Sequence, residues 1–137
     1  MVNLLSGDPA PNFTGFCNNN PQYHFNTVAG RYVVLCFFGS VSLPNSYQAL
    51  SFVYQDLRPY FDDNKICFFG VSIDPQDKQS NRIQDMLPGI RIFWDLDLRV
   101  STLYGSVTLG VNLLELYKPY TLILDPNLRV LANIPLS

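Results

Sequence analysis

Three cysteines, one histidine and a few close-set aspartates are the residues of this 137-residue chain with the means to do chemistry. A thiol reacts as its thiolate, which needs water access and a cation or helix N-terminus close by. Cys36 in "RYVVLCFFG" and Cys67 in "KICFFGVSID" interrupt apolar runs, where a thiol behaves as a small buried hydrophobe. Cys17, in "GFCNNNPQ", lies in a polar stretch read as a loop and is the one thiol open to exposure. Nothing cationic flanks it, so the inert reading is favoured there too. The odd cysteine count and the lack of any CxxC pair argue against a disulfide framework or a zinc site. His24 has no second ligand at metal spacing. Asp95 and Asp97 in "DLDL" have no histidine partner and are read as caps of a short helix. Asp62–Asp63 is read as a solvated turn, and "GSVTLG" lacks the lysine of a phosphate loop. No catalytic residue, metal or cofactor is expected from these residues alone.

The elements that must position them are legible from periodicity. Arg31–Gly39 and Lys65–Asp74 are continuous apolar runs rich in β-branched and aromatic residues, as strands covered on both faces are. Between them Ala49, Leu50, Val53, Leu57 and Tyr60 recur at helical spacing, and Pro59 is expected to end or kink that helix. Strand, helix, strand implies a right-handed crossover. A second helix is expected after Asp74, with Pro75 in its first turn and Ile83, Met86 and Leu87 on one face until Pro88–Gly89. Ile90–Asp95 reads as a strand and Leu98–Tyr104 as a brief helix. "YTLILD" and "RVLANI" then flank Pro126–Asn127 as a closing hairpin. The sum is one α/β domain over residues 1–137 with a mixed sheet flanked by helices, parallel in the middle and antiparallel at one edge.

Composition narrows the function classes. Net charge is −2 and no Lys/Arg cluster rises above isolated pairs, so a nucleic-acid partner is not expected. No apolar stretch approaches the length of a membrane span and no basic-then-apolar leader opens the chain, so a cytoplasmic protein is expected.

"GDPAPNF", "AGRYVVLCFFG", "FFGVSIDP", "DLDLRVSTLYG" and "YTLILDPNLRVL" occur here in the order and spacing of the peroxiredoxins, the alkyl hydroperoxide reductase (AhpC/TSA) family of redoxins within the thioredoxin fold. The chain resembles that family over nearly its whole length. The family carries Pro-x-x-x-Thr-x-x-Cys after the second segment, with a further arginine before the last hairpin. By this resemblance those four positions are Gly39, Leu43, Ser46 and Pro119. Aligned instead on thioredoxin-like reductases, the two reactive cysteines fall at Ser42 and Asn45. Both registers agree, because no cysteine lies between Phe37 and Ile66. Ser46 is a poor substitute, since a hydroxyl cannot cycle through a sulfenic acid and needs a general base to attack.

The resemblance therefore implies a redoxin scaffold with a degenerate reactive loop, acting as a non-catalytic protein-interaction or accessory module. The chain is also similar to redoxin segments that precede iron- and oxoglutarate-dependent oxygenases, which would make it the N-terminal part of a longer chain. The alternative is a thiol oxidoreductase or peroxidase working through Cys17. The resemblance further implies a cis peptide before Pro119, in a loop facing the reactive loop across a groove. It also implies a final helix after the closing hairpin, for which "PLS" is too short. Part of the sheet over Arg31–Gly39 and Tyr120–Asp125 is then expected to be bare. A homodimer or another protein is expected to cover it, in preference to Thr108–Tyr117 folding back.

Overall fold

A computed structural model describes residues 4–18, 20–80, 82–83, 87–107 and 117–136. Two antiparallel strands, β1 (Thr14–Cys17) and β2 (Asn20–His24), open the chain as a separate two-stranded sheet. The main sheet has five strands: β3 (Tyr32–Gly39), β4 (Ile66–Ser72), β5 (Ile90–Trp94), β6 (Tyr120–Leu124) and β7 (Val130–Pro135). Their order across the sheet is β5-β4-β3-β6-β7. β3, β4 and β5 run parallel, while β6 and β7 add as an antiparallel edge. Helices α1 (Pro44–Phe52), α2 (Pro75–Gln79) and α3 (Arg99–Leu103) lie between strands. This is a thioredoxin-like α/β fold.

The continuous apolar runs follow from burial on both faces. Alternate side chains of β3 point to opposite sides. Val33, Leu35 and Phe37 enter one apolar cluster, with Phe25, Phe69, Phe93, Tyr104 and Leu122. Cys36 and Phe38 enter the other, with Leu50, Val53, Phe61, Phe68 and Trp94. Each fully buried Phe contributes on the order of 1.5–3 kcal/mol. The first hairpin is the lid of the first cluster. A Cβ on Gly15 would lie 2.5 Å from the Phe93 ring, so glycine is what lets β1 approach that closely.

Several expectations need correction. The helix before β4 is α-helical only to Phe52, then widens into a π turn at Val53–Leu57 and tightens into a 3₁₀ turn at Arg58–Tyr60. Pro59 has no N–H to bond the carbonyl four residues back, which breaks the α ladder there. Tyr60 consequently points outward, 66% exposed. The helix after Asp74 stops at Gln79, because the polar run from Asp77 to Ser80 gives it no apolar stripe to extend. Ile83 and Leu87 pack on the second cluster from outside any helix, and Met86 lies outside the described residues. The expected loop around Cys17 is the β1–β2 hairpin.

The second sheet face is covered unevenly. α1, its π turn and the residue after the 3₁₀ turn pack on the second cluster through Leu50, Val53 and Phe61. On the β3–β6–β7 side, Val34 is in register with Ile123 and Ile123 with Ala132, while Thr121 pairs with both Cys36 and Ile134. At the margins of this area Tyr32 is 48% and Ile134 45% exposed. No helix follows β7 among the described residues. Residues 108–116, the proposed fold-back segment, lie outside them.

Candidate functional site

The C-terminal ends of parallel strands are where open α/β sheets place their chemistry. Here β3 ends at Gly39 with φ +76, a value that suits glycine. The requirement is steric as well, since an added Cβ would lie 2.8 Å from the Tyr117 ring. Ser40, Val41 and Ser42 then lead to Leu43, which precedes α1 as an N-cap without a side-chain cap bond, and Pro44 occupies the first helical turn. Ser46 is fully buried, and its Oγ donates to the Phe38 carbonyl at 2.6 Å. Its hydroxyl thus faces back into the strand. Pro119 follows Tyr117, whose ring against Gly39 joins the two loops. The Lys118–Pro119 peptide is trans, contrary to expectation. The Lys118 N–H donates to Ser106 O and the Leu136 N–H to Pro119 O, which fixes this segment in an ordinary extended connection.

A polar clasp ties the Gly39–Leu43 loop to α2. Ser40 Oγ donates to Asp74 Oδ2 at 2.6 Å and lies 2.7 Å from Ser42 Oγ. Asp74 also caps α2 by accepting from the Gln76 N–H. Asp77 is fully buried and accepts from Ser72 Oγ at 2.8 Å and from the Val41 N–H at 3.2 Å. Arg82 Nη1 lies 3.4 Å from Asp77 and 3.6 Å from Asp74. Burial is the main cause that holds the Asp77 carboxyl above the usual carboxylate range. The cavity beside this loop, about 260 Å³, opens on the α1 side between Val41, Tyr47, Leu50, Tyr54 and Arg82. Sequence reasoning missed the clasp. Its signal was the Ser-x-Asp-Pro-x-Asp run at the end of β4, whose first aspartate is an N-cap and whose second turns inward.

The thiols lie elsewhere. Cys36 and Cys67 are buried in β3 and β4, and burial pushes both up to about 11. Cys17 corrects the expectation of an exposed thiol: it ends β1 with only 6% exposure, inside the first apolar cluster. The reason is the hairpin's alternation, which turns Phe16 outward and Gly15 and Cys17 inward. His24 is exposed and its Nδ1 lies 3.1 Å from Thr14 Oγ1. Asp95 accepts from the Val100 and Ser101 N–H groups and Asp97 from that of Arg99, so both cap α3 as expected. Asp62 accepts from three turn N–H groups, whereas Asp63 forms a bidentate pair with Arg91 at 3.0 Å. Among the described residues, no three His, Cys, Asp or Glu side chains are placed to hold a metal, and no helix is long and apolar enough to cross a membrane.

Solved structures with this architecture include redox proteins. A 1-Cys peroxiredoxin of yeast mitochondria superposes with a TM-score of 0.76 at 19% identity, over 98% of this chain and 69% of that one. The peroxidoxin BcpB of Mycobacterium tuberculosis gives 0.74 at 20% identity, over 97% and 86%. The thioredoxin domain of a thiol-disulfide oxidoreductase of Bacteroides vulgatus gives 0.66 at 16% identity, over 96% and 89%. At these identities the likeness is one of fold. No curated protein sequence matches. Residues 6–132 match the AhpC/TSA family model, and on that match over nearly its whole length the chain belongs to the AhpC/TSA family.

Proposed function

We propose that this chain is a non-catalytic AhpC/TSA domain that works by binding protein, and that the first protein it binds is a second copy of itself. The observation that carries the loss of chemistry is Ser46. The position that the family resemblance pairs with the reactive cysteine holds a hydroxyl, fully buried and committed to the Phe38 carbonyl. The surroundings agree with that reading. A reactive thiolate needs donors and positive charge around it, whereas here the Val41 N–H serves Asp77 and Arg82 is engaged by two carboxylates. Burial of Cys17 removes the support for a peroxidase working through that thiol.

The open part of the second sheet face supports binding. Tyr32, Val34, Ile66, Ile123, Ala132 and Ile134 share it, and none carries a charge. A two-fold interface sets a patch against itself, so an uncharged patch can pair with its own copy without like-charge repulsion. Two measurements test the proposal. Peroxide consumption with a thiol reductant is expected to match the protein-free rate, and catalytic turnover abolished by Cys17→Ser would overturn the non-catalytic reading. Sedimentation at micromolar concentration is expected to give a dimer that Ile134→Glu dissociates, and a monomeric wild type would overturn the self-association.

A further inference from the structure

We propose that the cavity between the first hairpin and α3 binds a small organic anion with an apolar body, a role separate from that of the reactive loop. This cavity, about 290 Å³, lies between Phe16, Phe93, Leu96, Lys78, Asp97 and Arg99. Its volume is near the lower end of small-molecule sites, which runs from about 300 Å³.

The walls are apolar and the polar groups are mostly donors. Lys78 Nζ sits 4.5 Å from the centre of the Phe16 ring. Arg99 Nη2 donates to the Thr14 carbonyl at 2.8 Å, which fixes the guanidinium beside β1 and leaves its other N–H groups for a ligand. The ion pairs among the described residues go to Arg82 and Arg91, so neither cation of this cavity has a carboxylate partner among them. Of the nearby carboxylates, Asp95 is buried against α3 and Asp97 stands exposed at the rim. Asp95 is 4% exposed with both oxygens accepting from α3 N–H groups, and Asp97 Oδ1 accepts from the Arg99 N–H. Trp94 is also among the lining residues.

Two unpaired cations over an aromatic wall select a carboxylate with a short hydrocarbon tail. A free phosphate would waste the apolar wall, and a neutral alcohol would waste the cations. On the far side of Arg99 a second cavity of about 410 Å³, walled by Phe13, Val100 and Leu103, leaves room for a longer tail.

Isothermal titration calorimetry reads binding at this cavity without a label. Titration with hexanoate is expected to give a saturable change, weakened by added salt. Hexanol is expected to bind about tenfold more weakly, and Lys78→Gln or Arg99→Gln to weaken hexanoate by a similar factor, as loss of a charged hydrogen bond does. Lys78→Gln changes only a half-exposed side chain of α2, so it serves if Arg99→Gln loosens the hairpin. A wild type with no saturable response overturns the proposal. So does hexanol binding as tightly as hexanoate, or hexanoate affinity unchanged in both variants.

Discussion

Putting a cysteine back at position 46 is the most direct challenge to the reading of the reactive loop. The Ser46 hydroxyl donates to the Phe38 carbonyl at 2.6 Å in a fully buried setting. A thiol is a weaker donor on a longer bond, so Ser46→Cys should lower stability by about 1 kcal/mol through that carbonyl alone. Its reactivity follows from its surroundings. Cys36, two residues before Phe38 on the same strand, and Cys67 on the next are both pushed up to about 11 by burial. A thiol at 46 that shares this burial would be about 10⁻⁴ ionised at pH 7. A thiol of pKa near 7 is about half ionised, so thiolate supply alone should lower the rate by about 5 × 10³. Leu43, at the position of the family's threonine, supplies no side-chain hydrogen bond, and one missing donor at a reacting centre can lower the rate by about 10²–10³. The assay is the pH dependence of oxidation at residue 46 by hydrogen peroxide, followed by mass spectrometry in a Cys17→Ser background. Oxidation that is slow at neutral pH and rises about tenfold per pH unit, without levelling off below about pH 10, is expected. An apparent pKa below about 7 with fast oxidation would refute the reasoning.

The other predictions concern the frame around the site. Gly89→Ala should be among the most damaging single changes, at least about 3 kcal/mol, because φ is +76 and the new Cβ would lie 2.0 Å from the Phe61 carbonyl oxygen. Gly39→Ala should lose less, about 2–3 kcal/mol, since a side-chain ring rather than backbone has to move. Thermal unfolding checks the order, and equal losses would contradict it. Asp77→Asn tests the buried carboxyl through linkage. Its folded pKa is raised mainly by burial, so its contribution is full below the unfolded pKa of about 3.9 and is lost as pH rises through the folded value. The wild-type stability minus that of Asp77→Asn should therefore fall with rising pH over that window, and a difference that rises instead would reverse the sign. A double-mutant cycle on Arg91 and Asp63, each about one-third exposed, should give about 0.5–1 kcal/mol of coupling, lost below the depressed Asp63 pKa as pH falls.

Much of the sheet was legible because strands buried on both faces announce themselves as unbroken apolar runs. Arg31–Gly39 and Lys65–Asp74 became β3 and β4 with ends shifted by one or two residues. The closing hairpin was legible for the same reason. What escaped was structure whose signal is not apolar periodicity. In "TGFCNNNPQYH" only every second residue of β1 faces the core, and one of those is a glycine, so the hairpin read as loop. With the hairpin hidden, the burial of Cys17 was hidden too. The helix after Asp74 failed in the opposite way: apolar residues at suitable spacing suggested a stripe, but the polar residues between them end α2 after five residues.

The sequence holds no cysteine between Phe37 and Ile66, and the structure adds where the donors of the loop before α1 go. In a site built for an anionic nucleophile, the N–H groups at the start of the helix and any nearby guanidinium face the reacting atom. Here the N–H groups of the loop just before α1 are turned inward. The Ser42 N–H goes to Ser40 Oγ, the Leu43 N–H to the Ser40 carbonyl and the Val41 N–H to Asp77, while Arg82 lies against Asp74 and Asp77. A carboxylate that already holds these donors opposes a thiolate in the same place by like charge as well as by competition. On the proposed reading, a cysteine at residue 46 therefore does not supply the chemistry by itself. Removing the Asp77 charge would loosen a backbone donor and leave Arg82 held by Asp74 alone, which a change at Leu43 or Ser46 does not do. The clasp thus makes the loop a fixed rim beside the Tyr47–Tyr54 cavity of α1, a part suited to holding a surface in shape.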